Sequence, residues 1–252
     1  MSFNNYNRGM QITPVVRDLL IINILFFIGT QFSDTVSSML ALYYPSSENF
    51  RTYQLVTHFF MHANLMHLAF NMIGLYSIGM MLEMVWGGKR FLTYYFICAF
   101  GAAAVHLGMT YWEFFQLESL MKTYIAQPDL DAAITFFKRT GFELNSEDSS
   151  VIQAQMSEII KRRADIPMVG ASGALYGLLA AVWYMFPETA FFIYFIPVPI
   201  KAKYLVPVIL VLDLFMGFSR FGGDNVAHFA HIGGAVVGLI VLLLWYKKSI
   251  VR

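Results

Sequence analysis

A small set of side chains in this sequence has the types and spacing needed for acyl transfer. Ser172 lies in Gly170-Ala171-Ser172-Gly173, His231 ends Ala227-His228-Phe229-Ala230-His231, and His67 and Asn71 stand at i and i+4 in an apolar run. A serine hydroxyl is inert until a neutral imidazole within hydrogen-bond distance accepts its proton, so Ser172 needs a base such as His231. Acyl transfer also needs donors for the developing oxyanion. The His67 ring and the Asn71 amide share one helical face, and backbone N–H groups at the start of the helix bearing Ser172 add to them. No carboxylate is clearly placed to orient His231, which favours a Ser172–His231 dyad over a triad. Asp213, in an apolar stretch of its own, is the one acid that could serve.

Plainer roles are open to the same residues. A serine in an apolar helix commonly bonds a backbone carbonyl. His67 and Asn71 could join helices through hydrogen bonds. His62 and His228 read as structural or interfacial, nearer water than their catalytic neighbours, and Asp213 as a buried packing acid. A metal site built from His228, His231 and His67 would lack an accompanying Asp or Glu, so no metal and no other cofactor are expected.

The elements that must position these residues are membrane helices. Of the 252 residues 58% are hydrophobic and 13% charged, with 24 Phe and 14 Tyr, and the mean hydropathy is +0.57. Such a composition excludes a disordered chain, a coiled coil and a collagen-like fibre. A net charge of +1 gives no reason to expect nucleic acid as a partner. The single cysteine, Cys98, precludes an intramolecular disulfide and a cysteine-based metal cluster. Met1 to Asp18 does not read as a signal peptide.

Crossing roughly 30 Å of hydrocarbon takes roughly 20 apolar residues. Six stretches qualify: about Leu19 to Gln31, Asn64 to Leu82, Phe91 to Tyr111, Met168 to Phe186, Tyr204 to Phe218 and Asn225 to Tyr246. Between the third and fourth, residues 113–165 hold 15 of the 33 charged side chains and must lie outside the hydrocarbon. Ile134, Phe136 and Phe137, then Val151, Ile152, Ile159 and Ile160, fit short amphipathic helices there. The expectation is an all-α polytopic membrane protein, one domain over 1–252, with a six-helix core at about 15–112 and 166–247 and an extramembrane insert at 113–165.

Basic residues set the orientation. With the N-terminus cytoplasmic, that side receives Arg8, Arg17, Lys89, Arg90, Lys201, Lys203, Lys247, Lys248 and Arg252, while the opposite short loops receive Arg51 and Arg220. Both termini are thus expected to be cytoplasmic, in the plasma (inner) membrane if the source is bacterial. Spans two, four and six then enter from the outer side, which puts His67, Ser172 and His231 in one layer roughly 5–10 Å deep. Gly173 and Gly177 on span four, and Gly234 and Gly238 on span six, form small-residue faces that would let the two backbones approach.

Three blocks of sequence resemble the signature of rhomboid intramembrane serine proteases: His62-Ala63-Asn64-Leu65-Met66-His67-Leu68-Ala69-Phe70-Asn71-Met72, Gly170-Ala171-Ser172-Gly173 and Ala227-His228-Phe229-Ala230-His231-Ile232-Gly233-Gly234. The resemblance implies a six-span rhomboid core, Ser172 as nucleophile, His231 as general base, and His67 and Asn71 as oxyanion stabilisers. It also implies that Tyr176 packs against the catalytic histidine, that Gly170 and Gly173 support the serine, and that Glu83 matches an acid ending span two. Tyr53-Gln54 departs from the family's frequent Trp-Arg in the first outer loop, and the insert is longer than the usual connection.

The implied activity is a serine endopeptidase that cuts transmembrane segments of other membrane proteins near their outer end, with the bilayer as its other partner. An inactive rhomboid-like protein that binds membrane clients is the alternative. A small transporter is disfavoured, because the inner halves of spans two, four and six offer little continuous polarity.

Overall fold

The structure is a computed structural model that describes residues 12–192, 198–219 and 227–250, without the side chains of 219 and 247–250. It is mostly helical. Helix α1, Pro14–Gln31, starts with proline at its first position, where no amide is needed. Its free N-terminal amides are met from afar: Val15 and Val16 N–H donate to the two carboxylate oxygens of Glu83 at 3.0 and 2.9 Å. A short helix α2, Asp34–Leu40, follows, capped by the Ser33 hydroxyl.

The loop that comes next is organised by the fully buried Gln54, which begins the one-turn helix α3, Gln54–Thr57. Its amide nitrogen donates to the Met39 and Asn49 carbonyls, at 3.0 and 2.9 Å, while its oxygen accepts from Arg51 N–H. Gln54 therefore gives this loop an internal polar core. A 3₁₀ turn, His58–Phe60, leads on towards α4.

Helix α4, Leu65–Trp86, opens on Asn64, whose side chain accepts from His67 N–H, and carries one π-helical turn at Leu75–Gly79. Gly87, at φ +76°, separates it from α5, Gly88–Ala126. The expected third span ends near Tyr111, but α5 runs on unbroken for 39 residues, about 58 Å at 1.5 Å each. The segment Trp112 to Ala126 contains no Gly or Pro to stop it, and Phe114, Leu117 and Tyr124 give it a face to bury.

That face packs against α6, Leu130–Thr140, and α7, Ser149–Ala164. Asp129 and Asp148 cap their N-termini, and Gly141, at φ +75°, ends α6. Ala133, Phe136, Phe137, Ile152, Met156 and Ile159 close a second core with α5. Ile134 and Val151 point outward instead. The Arg163 guanidinium pairs with the Glu113 carboxylate and donates to the Thr140 carbonyl, and Ser47 bonds Asp165 at 2.5 Å to tie this subdomain to the loop before α4.

Helix α8, Ser172–Met185, follows a short bridge between Leu42 and Met168. Two short antiparallel strands, β1, Ala190–Phe191, and β2, Ile200–Lys201, then lead into α9, Ala202–Ser219. Beside them Lys201 and Lys203 grip Glu188, whose carboxyl they pull down to about 2. Helix α10, His228–Ile250, completes the described chain.

A helix stands at each of the six expected positions. Four of them, α1, α4, α5 and α10, are long and apolar enough to cross a membrane, and α8 is a shorter apolar helix. Large apolar side chains such as Leu25, Phe70, Val211 and Leu244 stand exposed on the outer faces, as lipid-facing residues do, while the main core gathers Tyr94, Tyr95, Cys98, Leu175 and Leu178. The chain is an integral membrane protein.

Candidate active site

Helix α8 begins at Ser172, so the serine stands where backbone N–H groups have no intrahelical acceptor. The residue before the turn that sets it there is Gly170, at φ +125°. A Cβ on Gly170 would lie 2.9 Å from the His67 ring and 3.5 Å from Ser172 Oγ. Only glycine fits both this backbone and this gap. The Gly170 amide donates to the His58 carbonyl at 2.9 Å, which ties the turn to the loop before α4. His58 is itself buried, and burial pulls its pKa down to about 4.

The small-residue faces meet as expected. A Cβ on Gly234 would stand 1.9 Å from the Gly173 carbonyl oxygen, and one on Gly238 would stand 3.0 Å from Gly177 Cα. Gly173 and Gly177 also abut Ala102 and Cys98 of α5, which a Cβ would approach to 2.4 Å. Three helices thus come within backbone distance, and the approach carries His231 to the serine. Ser172 Oγ lies 2.8 Å from His231 Nε2. A small cavity beside the hydroxyl is lined by His58, Phe59, Gly170 and Ala230.

His67 and Asn71 occupy the same side of α4. The Asn71 amide donates to the His67 carbonyl at 2.9 Å, which uses one of its two N–H bonds and leaves the second available. His67 flanks Gly170, and its ring meets that of His62 edge-on at 5.1 Å. His62 is buried, the structural rather than the interfacial of the two roles open to it.

The far side of the base holds what the sequence did not reveal. His231 Nδ1 lies 3.1 Å from Asp213 Oδ1, and His228 Nδ1 lies 2.6 Å from the same oxygen. The Tyr176 hydroxyl donates to Asp213 Oδ2. Tyr176 also lays its ring on the His231 imidazole, centroids 4.2 Å apart and planes 8° from parallel, as the family resemblance implies. A carboxylate therefore does face His231, and it is that of Asp213, the one acid that the sequence left open for this place. His228 is buried and bonded, the structural of the two roles open to it.

The same cluster bears on metals. Asp213, His228 and His231 offer ligand atoms within 4.8 Å of one another, so an acid does accompany two of the three histidines considered, and His67 is not in that group. Their hydrogen bonds already account for this spacing without an ion.

Comparisons with known proteins find sequence relatives. The family model of the Rhomboid domain matches residues 49–112 and 144–248; the unmatched stretch, 113–143, holds the outer end of α5 and all of α6. Over 199 residues, 73% of this chain and 53% of the relative, the sequence is 28% identical to Rhomboid protease AarA of Providencia stuartii. It is 23% identical over 242 residues, 94% of this chain and 60% of the relative, to RHOMBOID-like protein 12, mitochondrial, of Arabidopsis thaliana. It is 33% identical over 78 residues, 31% of this chain and 30% of the relative, to Rhomboid-like protease 3 of Toxoplasma gondii. The chain thus spans less than two thirds of the length of each of these relatives. The matched residues cover well over half of the chain and include His67, Asn71, Ser172 and His231, and a family that includes intramembrane serine proteases is one whose chemistry these four side chains can serve: the chain belongs to the rhomboid family.

Proposed function

We propose that this protein is an intramembrane serine endopeptidase that cleaves transmembrane segments of other membrane proteins near their outer end. The observation that carries the reading is the 2.8 Å contact between Ser172 Oγ and His231 Nε2, at the start of a helix whose first N–H groups are free. Ser172 attacks the scissile carbonyl as its proton passes to His231 Nε2. His67, Asn71 and the backbone amides at the start of α8 hold the oxyanion. His231 then gives the proton to the departing amine as the C–N bond breaks, and a water activated the same way hydrolyses the acyl-enzyme.

The six apolar helices form the membrane core, with both termini cytoplasmic and residues 113–165 outside, in the plasma membrane if the source is bacterial. Helix α8 rises about 21 Å over its 14 residues, shorter than the roughly 30 Å of hydrocarbon. This length suits a serine seated below the outer surface. A substrate helix must unwind to reach it, because helical backbone is closed to attack by its own hydrogen bonds. Segments with Gly or Pro just past the cut should therefore be preferred.

The test uses purified full chain in detergent. Cleavage of a model transmembrane substrate, and labelling by a fluorescent serine-reactive phosphonate that maps to Ser172, are both expected, and both are expected to vanish in Ser172→Ala. His231→Ala should abolish cleavage to the same degree, since the hydroxyl needs its base. Near-normal turnover in either variant would overturn the assignment.

A further inference from the structure

We propose that Asp213 is the positioning acid of a Ser172–His231–Asp213 triad, its carboxylate held for that purpose by Tyr176 and His228. The inference rests on the reading of Ser172 and His231 as nucleophile and base. Asp213 lies on α9, outside the three sequence blocks that carry the family resemblance.

The argument begins with the tautomer. Ser172 can donate to Nε2 only if that nitrogen carries no hydrogen, so the proton of the neutral imidazole must sit on Nδ1. Asp213 Oδ1, 3.1 Å away, is an acceptor in the place where that N–H points. A carboxylate there selects the productive tautomer and turns the ring towards the serine. Burial makes the selection strong: the Asp213 and His231 side chains are 8% and 12% exposed, so water competes little for either group.

The carboxylate is itself fixed. Oδ1 receives a second N–H from His228, one turn before His231 on the same helix, and Oδ2 receives the Tyr176 hydroxyl. Tyr176 stands one turn after Ser172, and its ring lies flat on the imidazole. One side chain thus touches both the acid and the base and comes from the helix of the nucleophile. An acid serving only to pack helices would need donors from some neighbour. It would have no need to take the one N–H that decides which nitrogen faces Ser172.

During the reaction the serine proton moves to Nε2 as the O–C bond forms, and the imidazole becomes an imidazolium. Its Nδ1–H stays on nitrogen and keeps donating to Asp213, whose negative charge offsets the new positive one. The proton leaves from Nε2 with the amine as the C–N bond breaks. Asp213 ends as it began, ionised.

The test compares wild-type protein with Asp213→Asn, Asp213→Ala and Asp213→Glu, with thermal unfolding in detergent used to verify folding. Loss of an orienting acid in a serine triad typically costs about 10⁴ in kcat. Asn keeps one acceptor oxygen here, so at least about a tenfold loss in kcat is expected for Asn and about 10²–10⁴-fold for Ala, with KM within about twofold and partial recovery in Glu. Smaller losses, or losses confined to KM, in variants that fold would overturn the proposal. Should none of the three replacements fold, Tyr176→Phe decides. It keeps the stacked ring and removes the hydroxyl, which should lower kcat about fivefold, the weight of one hydrogen bond; an unchanged kcat would overturn the proposal. Wild-type protein that fails to cleave at all would instead sink the protease reading, so the two failures are distinguishable.

Discussion

The Gly234 backbone faces the Gly173 carbonyl so closely that a side chain of one carbon would stand 1.9 Å from that oxygen. The neighbour here is backbone on a packed helix and cannot swing aside. Gly234→Ala should therefore push α10 away from α8 and cost about 1–3 kcal/mol or more. Gly108, on α5, has nothing within 4 Å of the same virtual carbon, and Gly108→Ala should gain up to about 1 kcal/mol from helix propensity. Thermal unfolding of the two variants in detergent should move in opposite directions. Equal shifts would mean that the close approach carries no energy.

Gly170→Ala should separate activity from stability. Its φ of +125° strains any L side chain, at about 1–3 kcal/mol, and the added carbon meets the His67 ring at 2.9 Å. The ring is the softer of the two and shifts, taking an oxyanion donor with it. Phosphonate labelling of Ser172 is expected to slow by more than tenfold while the melting temperature falls only modestly. A variant that labels at the wild-type rate would remove Gly170 from the site.

Asn71→Ala should lower kcat by about 10²–10³ and change KM little, because losing one oxyanion donor leaves the others in place. Some cleavage should survive, as should slow labelling of Ser172. A raised KM with intact kcat would assign Asn71 to substrate contact instead.

The loop between α2 and α4 should be sensitive to acid. His58 and His62 are buried, and burial draws both down to about 4 from an ordinary 6.5. With the folded pKa below the unfolded one, the unfolded chain binds more protons between these values. Their contribution to stability is thus complete above pH 6.5 and is lost as the pH falls from 6.5 towards 4. Melting temperature followed across that window should drop for the wild type and drop less for His58→Gln. Identical slopes would show that His58 does not carry the effect.

The subdomain of α6 and α7 should face the side opposite the termini. A cysteine at Ser146 should react with an impermeant thiol reagent in intact cells, whereas the native thiol, Cys98, is buried. Protection of that position until lysis would invert the whole topology.

Much of the site was legible because it is local. Glycine spacing on two helices foretold the contact that brings His231 to Ser172, and an i, i+4 pair foretold one face of α4. Asp213 was different: an isolated acid on an apolar helix carries no signal of which way it turns, and only the packing of α9 against α8 and α10 aims it. For His228 the sequence left a structural and an interfacial role open for the same reason, since its partner comes from another helix. The length of α5 was hidden because charge density marks where the hydrocarbon ends but does not mark where a helix ends. Gln54 showed in the sequence only as a departure from a family pattern, and its role depends on four backbone groups that the loop gathers around it.

Glu83 has a consequence for how this chain is assembled. Its two oxygens satisfy the amides of Val15 and Val16, 68 and 67 residues earlier, where α1 has no side-chain cap of its own. During synthesis the first span therefore emerges with an end that no side-chain cap among its own described residues closes. It becomes a finished helix only when the second has been delivered beside it, so the smallest complete unit of insertion is the pair.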